Sequence, residues 1–336
     1  MTKVFAGIQE DVYPLLLPHV TVGDGKLWLG TAELCELTAR EENYCRLCDG
    51  TRSLEHIIEE AGPPPSAPQA TAFIVPLLSS LAIAGEQPKS KRVLVISPTP
   101  QTGYMAAGGT LAKWADAEVL HLVCFSQTKD AVFPEIFTSA AGVSAIRRDE
   151  STLCAAICGC NNRFLNYPAY SLRKEDWPGT SSAEHPRELA AALQAAVYQV
   201  IREFAPSVIM APAAIGNHPD HALLNRMAID FFKQDFFSGT RFLLYQDFPY
   251  AIAYNMIDDF LWKTEHCFVR LQDHFEDISG QLALKDILYT IYFSALAGSD
   301  RQLVNHIARR NKLACADPLL QDAAGLEHFY ELLSFN

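Results

Sequence analysis

The chain lacks any apolar run approaching the ~18 residues of a membrane span, and residues 1–10 hold no apolar core of the signal-peptide kind. Neither anchoring nor export is expected, so the expected location is the cytoplasm. Basic residues are scarce, 27 Lys and Arg against 39 Asp and Glu, for a formal net charge of −12. Nucleic acids and anionic membranes attract basic surfaces, which argues against both as partners. Nine cysteines make an odd number, better suited to reduced thiols than to a disulfide framework. Cys45 and Cys48 form a lone CxxC, and Cys154, Cys158 and Cys160 have no second group at zinc-ribbon spacing, so all are expected to be small apolar residues. Internal repeats and low-complexity tracts are absent.

At 336 residues and 49% hydrophobic content, the chain is long enough for two domains with sizeable cores. Residues 85–92 are polar, carry Gly and Pro, and precede a buried strand; 86–92 is therefore the expected linker between domains 1–85 and 93–336. In the first part, Val20 and Val22 are set against Leu27 and Leu29 around Gly-Asp-Gly, the signal of a tight hairpin. Thr38 with Glu41 offers a capping box, and Ser53 caps a second helix through Leu54, Ile57 and Ile58. A third apolar run, residues 72–83, is read as a third helix whose early part Pro76 kinks or unwinds. That order predicts a small α+β, winged-helix-like domain.

In the second part, residues 93–96 are four apolar residues that read as a buried strand, followed by a Pro-rich turn and a Gly108-Gly109-Thr110 segment opening a helix. Residues 119–125 and 207–211 read as further strands, and 146–159, 184–204 and 222–232 as helices, with a loop at 176–186. The alternation predicts an α/β fold with a Rossmann-like, mostly parallel sheet and helices on both faces. In such sheets ligands sit beyond the carboxyl ends of strands, so the turn at 97–104 and the loop at 216–221 should share one edge. The turn offers only the neutral Ser97, Thr99, Gln101 and Thr102; the loop offers His218, Asp220 and His221, suited to bind metal or move protons. Taken alone, His-x-x-His more often marks structural histidines than a site.

Strand, turn and Gly108-Gly-Thr-Leu-Ala-Lys113 resemble the opening of the PIG-L/LmbE family of zinc-dependent N-deacetylases. The resemblance extends over residues 91–333, taking in Arg147 and Glu150, the loop to His221, Lys285 to Ser294 and Gly325 to Tyr330. It implies the deacetylase fold and places the family's His-Pro-Asp-Asp-Glu motif on Thr99, Pro100, Gln101, Thr102 and Gly103. The family's His and second Asp bind zinc and its first Asp is the general base, so Thr99, Thr102 and Gln101 stand where those groups belong. By the same resemblance His221 is the third ligand, His218 the second catalytic group, Asp220 its orienting carboxylate, and Thr99, Gln101, Thr102, Arg147 and Glu150 line the pocket. One imidazole and two alcohols make a poor zinc site, and an amide cannot take a proton. No cofactor is expected; zinc would need ligands recruited from elsewhere in the chain.

Cys48-Asp-Gly-Thr-Arg-Ser-Leu-Glu-His-Ile-Ile58, with the element order around it, is similar to PqqD-like domains, the recognition elements of ribosomal peptide biosynthesis, over residues 10–85. That resemblance implies capture of a precursor's leader peptide as an added strand; a cap that binds nothing is the alternative. Three functional readings remain open. The first is a catalytically silent deacetylase-like domain fused to a peptide-recognition module, presenting a peptide or a partner biosynthetic enzyme. The second is an enzyme of altered chemistry using His218, Asp220 and His221, with Ser97 or Cys154 as conceivable nucleophiles. The third is an unaltered N-deacetylase acting on a sugar or peptide amide.

Overall fold

The computed structural model describes residues 12–17, 20–29, 32–62, 74–78, 91–134, 136, 138–176, 187–234, 237–266, 269–296 and 307–333. Residues 86–90 of the expected linker, most of the loop at 176–186 and the outer parts of the run at 72–83 lie outside them; Lys91 and Arg92, expected in the linker, already belong to the strand Lys91–Ser97.

The N-terminal part is a small α+β unit. Strands β2 (Val20–Gly23), β3 (Lys26–Leu29) and β4 (Ala32–Glu36) form an antiparallel meander in that order. Asp24 and Gly25 turn the hairpin with φ of 55° and 70°, values that an Asp-Gly pair adopts at low cost. Helix α1 (Ala39–Leu47) starts with the capping box expected of Thr38 and Glu41, and α2 (Leu54–Ala61) with Ser53 accepting from the His56 N–H. The third apolar run departs from the sequence reading. Residues Ile74–Leu78 are a strand, β5, paired antiparallel with β1 (Val12–Leu16), Pro76 lying opposite Pro14. A two-stranded ribbon tolerates prolines that a helix interior does not, because its outer edges need no donor.

The larger sheet has the order β11-β12-β10-β9-β6-β7-β8. Strands β6 (Lys91–Ser97), β7 (Ala117–Val123), β8 (Asn161–Phe164), β9 (Val208–Pro212) and β10 (Arg241–Tyr245) are parallel, while β11 (Arg270–Asp277) and β12 (Leu326–Leu333) close one side antiparallel. Period-two geometry divides the side chains between two cores. Val93, Val95, Val208, Met210, Leu243 and Tyr245 face one layer, with α3 (Thr102–Lys113), α4 (Ala140–Cys158) and α9 (Leu282–Ile291). Leu94, Ile96, Ile209, Ala211, Phe242 and Leu244 face the other, with α6 (Arg187–Phe204), α7 (Pro219–Lys233) and α8 (Tyr254–His266). The first core runs on into the N-terminal unit, joining Leu17, Leu27, Tyr44 and Ile57, and β5 lies against α9.

Gly108 and Gly109 do not open α3, which begins six residues earlier, at Thr102. They let other residues approach it: a Cβ on Gly108 would stand 2.5 Å from Leu288 Cδ1, and one on Gly109 2.9 Å from Ile278 Cγ2.

His121, on β7, is fully buried between the Tyr104 ring, 4.3 Å away by centroids, and Asn162, whose Oδ1 accepts from Nδ1 at 3.0 Å. Burial pushes its pKa down to about 4. The unfolded chain takes up this proton near pH 6.5 and the folded chain only near 4, so His121 withdraws stability as pH falls through that window, by about 3 kcal/mol in all. The difference in unfolding free energy between the native chain and His121→Leu, measured from pH 7.5 to 4, is expected to shift by that amount in favour of Leu. A pH-independent difference would remove His121 as a source of acid sensitivity.

Candidate functional site

Strand order reverses between β6 and β9, since β7 and β8 extend the sheet on one side of β6 and β9 and β10 on the other. A crevice opens at such a point beyond the carboxyl ends of the strands. A cavity of about 250 Å³ lies there, lined among others by Thr99, Gln101, Thr102, His218, Asp220 and His221. The two loops singled out in the sequence therefore meet across one cleft.

The turn after β6 is fixed from below. Ser97 Oγ accepts from the Gly103 N–H at 2.9 Å and donates to the Thr99 carbonyl at 2.7 Å, so this buried hydroxyl holds the turn and is not a free nucleophile. Cys154 is fully buried on α4, outside the cavity lining, and burial raises its thiol well above the usual range. Tyr292 Oη donates to the Pro100 carbonyl and Tyr289 Oη to the Met105 carbonyl, both at 2.7 Å, so α9 clamps the turn from outside. Within the turn, Thr99 and Thr102 hydroxyls bond to each other at 2.6 Å.

The opposite wall begins with the loop after β9. Ala214, Gly216 and Asn217 have φ of 63°, 82° and 54°, and a Cβ on Gly216 would strike the Tyr250 ring at 2.5 Å. Glycine there lets Tyr250 lie over the loop, 6.1 Å from His221 by ring centroids. The residue that organises this wall was not found from sequence. Asp247, fully buried after β10, accepts from the Ile215 N–H at 2.9 Å and from His221 Nδ1 at 2.5 Å. That bond leaves Nε2 as the ring nitrogen open to a ligand. An Asp two residues past the last strand residue, in Tyr245-Gln-Asp-Phe-Pro249, was the available signal.

Three sequence-derived placements need correction. Asp220 does not serve His218: its carboxylate is buried, accepts from the Tyr170 N–H at 2.9 Å and pairs with Arg173, whose other nitrogen donates to the Pro168 carbonyl. The Arg173 guanidinium attracts Asp220 more strongly than a neutral imidazole can, and nothing in the local sequence around Asp220 points to it. Arg147 and Glu150 do not line the cavity. They sit behind it, Arg147 donating to the Asp130 and Ser294 carbonyls at 2.8 and 3.1 Å, and Glu150 accepting from the Ser294 N–H and Oγ at 3.0 and 2.7 Å. Burial pushes Glu150 up to about 7 against the pull of Arg147 and these hydrogen bonds. Their role is to fix the segments that carry Asp130, Ala295 and Leu296 into the wall.

His218 lies 5.1 Å from His221 by ring centroids, and burial, with His221 beside it, lowers its pKa below the usual histidine value. It is neutral at pH 7. Its Nδ1, with Gln101 Oε1 and Ser171 Oγ, is buried with no hydrogen-bond partner among the described residues, and all three residues line the cavity.

This fold and cleft define a class: a Rossmann-like α/β domain with a crevice at the switch point of its sheet, accompanied by a small α+β unit. Residues 94–232 match the family model described as PIG-L: GlcNAc-PI de-N-acetylase. The 2'-N-acetylparomamine deacetylase of Streptomyces fradiae is 28% identical over 177 residues, which cover 52% of this chain and 62% of that protein. A crystal structure of a deacetylase complex from the teicoplanin biosynthesis pathway superposes over 73% of this chain and 99% of its own, with a TM-score of 0.55 at 18% identity. The structure of the A40926 pseudoaglycone deacetylase does so over 73% and 98%, with a TM-score of 0.54 at 18% identity. Residues 94–232 are thus similar to the PIG-L model in sequence, and 73% of the chain is similar to these deacetylase structures in fold.

The zinc that the family resemblance implies does not fit the residues present. Of the three positions that should hold it, two carry hydroxyls bonded to each other, and only His221 offers a nitrogen. No group of three His, Cys, Asp or Glu side chains is placed to hold a metal among the described residues. Neutral hydroxyls do not compensate a dication near pH 7, whereas catalytic zinc sites supply three imidazole, thiolate or carboxylate ligands.

Proposed function

We propose that this protein is a deacetylase-derived binding protein that does not hydrolyse amides, and that it acts in peptide natural-product biosynthesis. Its N-terminal unit holds a precursor's leader peptide, and its cavity presents a bound group to a partner enzyme. The observation that carries this reading is the Thr99–Thr102 hydroxyl pair, bonded at 2.6 Å where two ligands should face a metal, with the Gln101 amide where the base should be. General-base assistance alone is worth roughly 10²–10⁴ in rate, and here the metal ligands are missing as well. Peptide capture is supported by β4, an outer strand of the meander with no strand partner on its far side among the described residues. A setting in natural-product biosynthesis is supported by the fold relatives, one a deacetylase of the teicoplanin biosynthesis pathway and another a deacetylase of the antimicrobial A40926 pseudoaglycone.

A second reading is favoured by one feature. His221, held from behind by the buried Asp247 at 2.5 Å, lines a cavity that also carries the Thr99 and Thr102 hydroxyls, as a metal-free base would. It would make the protein a hydrolase or transferase of altered chemistry, with Asp247 in the part that sequence gave to Asp220.

One experiment separates them. Short peptides encoded beside the gene are titrated into the full chain, and chelator-treated protein is assayed for amine release from N-acetylated sugars and peptides. Saturable peptide binding, weakened about tenfold or more by Glu36→Pro in β4, with no amine released, is the expected result. Amine release establishes the second reading, and absence of binding by every such peptide overturns the recognition role.

A further inference from the structure

We infer that the cavity is a receptor for a protonated primary amine, the kind of group that amide hydrolysis releases, rather than for the amide. The inference rests on the non-hydrolytic reading above, because a bound dication in the same cleft would repel an ammonium.

Its charge comes first. The lining carries two carboxylates, Asp130 and Asp220, and no Lys or Arg among the described residues. Asp220 is taken up by Arg173 and the Tyr170 N–H; Asp130, which is exposed, accepts from Thr128 Oγ1 at 3.3 Å on one carboxylate oxygen and offers the other as the counter-charge. Arg147 holds the Asp130 carbonyl, and Thr128 Oγ1 accepts from its N–H at 3.1 Å, so the backbone that presents this carboxylate is fixed.

Hydrogen-bonding capacity points the same way. Gln101 Oε1 can only accept, is buried and has no partner among the described residues. Ser171 is 7% exposed, and its Oγ is likewise without one. With Asp130, three residues of the lining thus carry acceptor capacity, equal in number to the three N–H donors of an ammonium. An acetamide brings one N–H in place of three and no charge, so it satisfies fewer of these acceptors and leaves the Asp130 carboxylate without a counter-ion. The Tyr170 and Tyr250 rings also line the space, and aromatic faces favour a cation. At about 250 Å³ the cavity lies just below the ~300–1,000 Å³ of typical ligand pockets, room for one sugar ring or one side chain.

A primary ammonium could come from an amino sugar or from a lysine of a bound peptide, and the test separates the two. The full chain is titrated calorimetrically with glucosamine and N-acetylglucosamine in one arm, and with Nα-acetyl-lysine methylamide and its Nε-acetylated form in the other. In one arm the amine is expected to bind at least tenfold more tightly than its acetylated counterpart. Asp130→Asn should reduce amine binding about tenfold, and Gln101→Glu, which adds a charge at the same wall, should strengthen it. Equal or better binding of the acetylated forms overturns the inference. So does failure of both amines to saturate, or amine binding unmoved by Asp130→Asn and Gln101→Glu together. Acetate release from an acetylated probe instead overturns the non-hydrolytic reading itself.

Discussion

Asp220→Ala is expected to destabilise the chain by about 3–5 kcal/mol, because it strands the Arg173 guanidinium in a site where both partners are buried. For a domain of this size that corresponds to a fall of roughly 10 °C in the unfolding midpoint. The Tyr170 N–H would lose its acceptor as well, loosening the segment that brings Tyr170 and Ser171 to the cavity. Pairing with Arg173 makes a further demand that a role beside His218 does not. Asp220→Ala/Arg173→Leu should recover most of the lost stability, since replacing both members of a buried pair by apolar groups is often close to neutral. Thermal and denaturant unfolding of the two variants checks this; a single variant as stable as the native chain would show that the pair carries little.

Thr99→His combined with Thr102→Asp is expected to create a zinc site. These two changes place an imidazole and a carboxylate opposite His221, whose ring is already held through Nδ1 by Asp247, the outer contact that metal-bound histidines commonly make. Three such ligands and a water are the usual catalytic set. Zinc affinity, read by competition with a chromophoric chelator, should rise on the order of a thousandfold, about 4 kcal/mol. Removing Asp247 in that background, as Asp247→Asn, should give back roughly ten- to a hundredfold of it. If the double variant takes up no zinc, the turn at 99–102 and His221 do not converge as the fold places them.

Much of this architecture is legible in the sequence because it depends on local rules. Four consecutive apolar residues at 93–96 read as a strand buried on both faces, and the helix starts at Thr38 and Ser53 follow from one side chain capping one backbone group. That the turn at 99–102 and the loop at 218–221 meet follows from strand polarity alone. What escaped depends on contacts distant in sequence. Pro76 leaves the early part of 72–83 kinked or non-helical, but that Ile74–Leu78 forms a strand depends on pairing with β1, about sixty residues away, which no local preference shows. The assignment of Asp220 to His218 weighed neighbours in sequence, whereas Asp220 finds Arg173 47 residues before it and His221 finds Asp247 26 residues after it. Arg147 and Glu150 share α4 but hydrogen-bond the chain at 130 and 294, so no spacing in their own helix shows which side of the cavity wall they occupy.

The metal content of the full chain, purified without chelator and measured by elemental analysis beside His221→Ala, tests most directly whether the cleft has lost its zinc site. The expected result is no stoichiometric zinc in either protein. One zinc per native chain, absent from His221→Ala, would contradict it and return the cleft to hydrolytic chemistry.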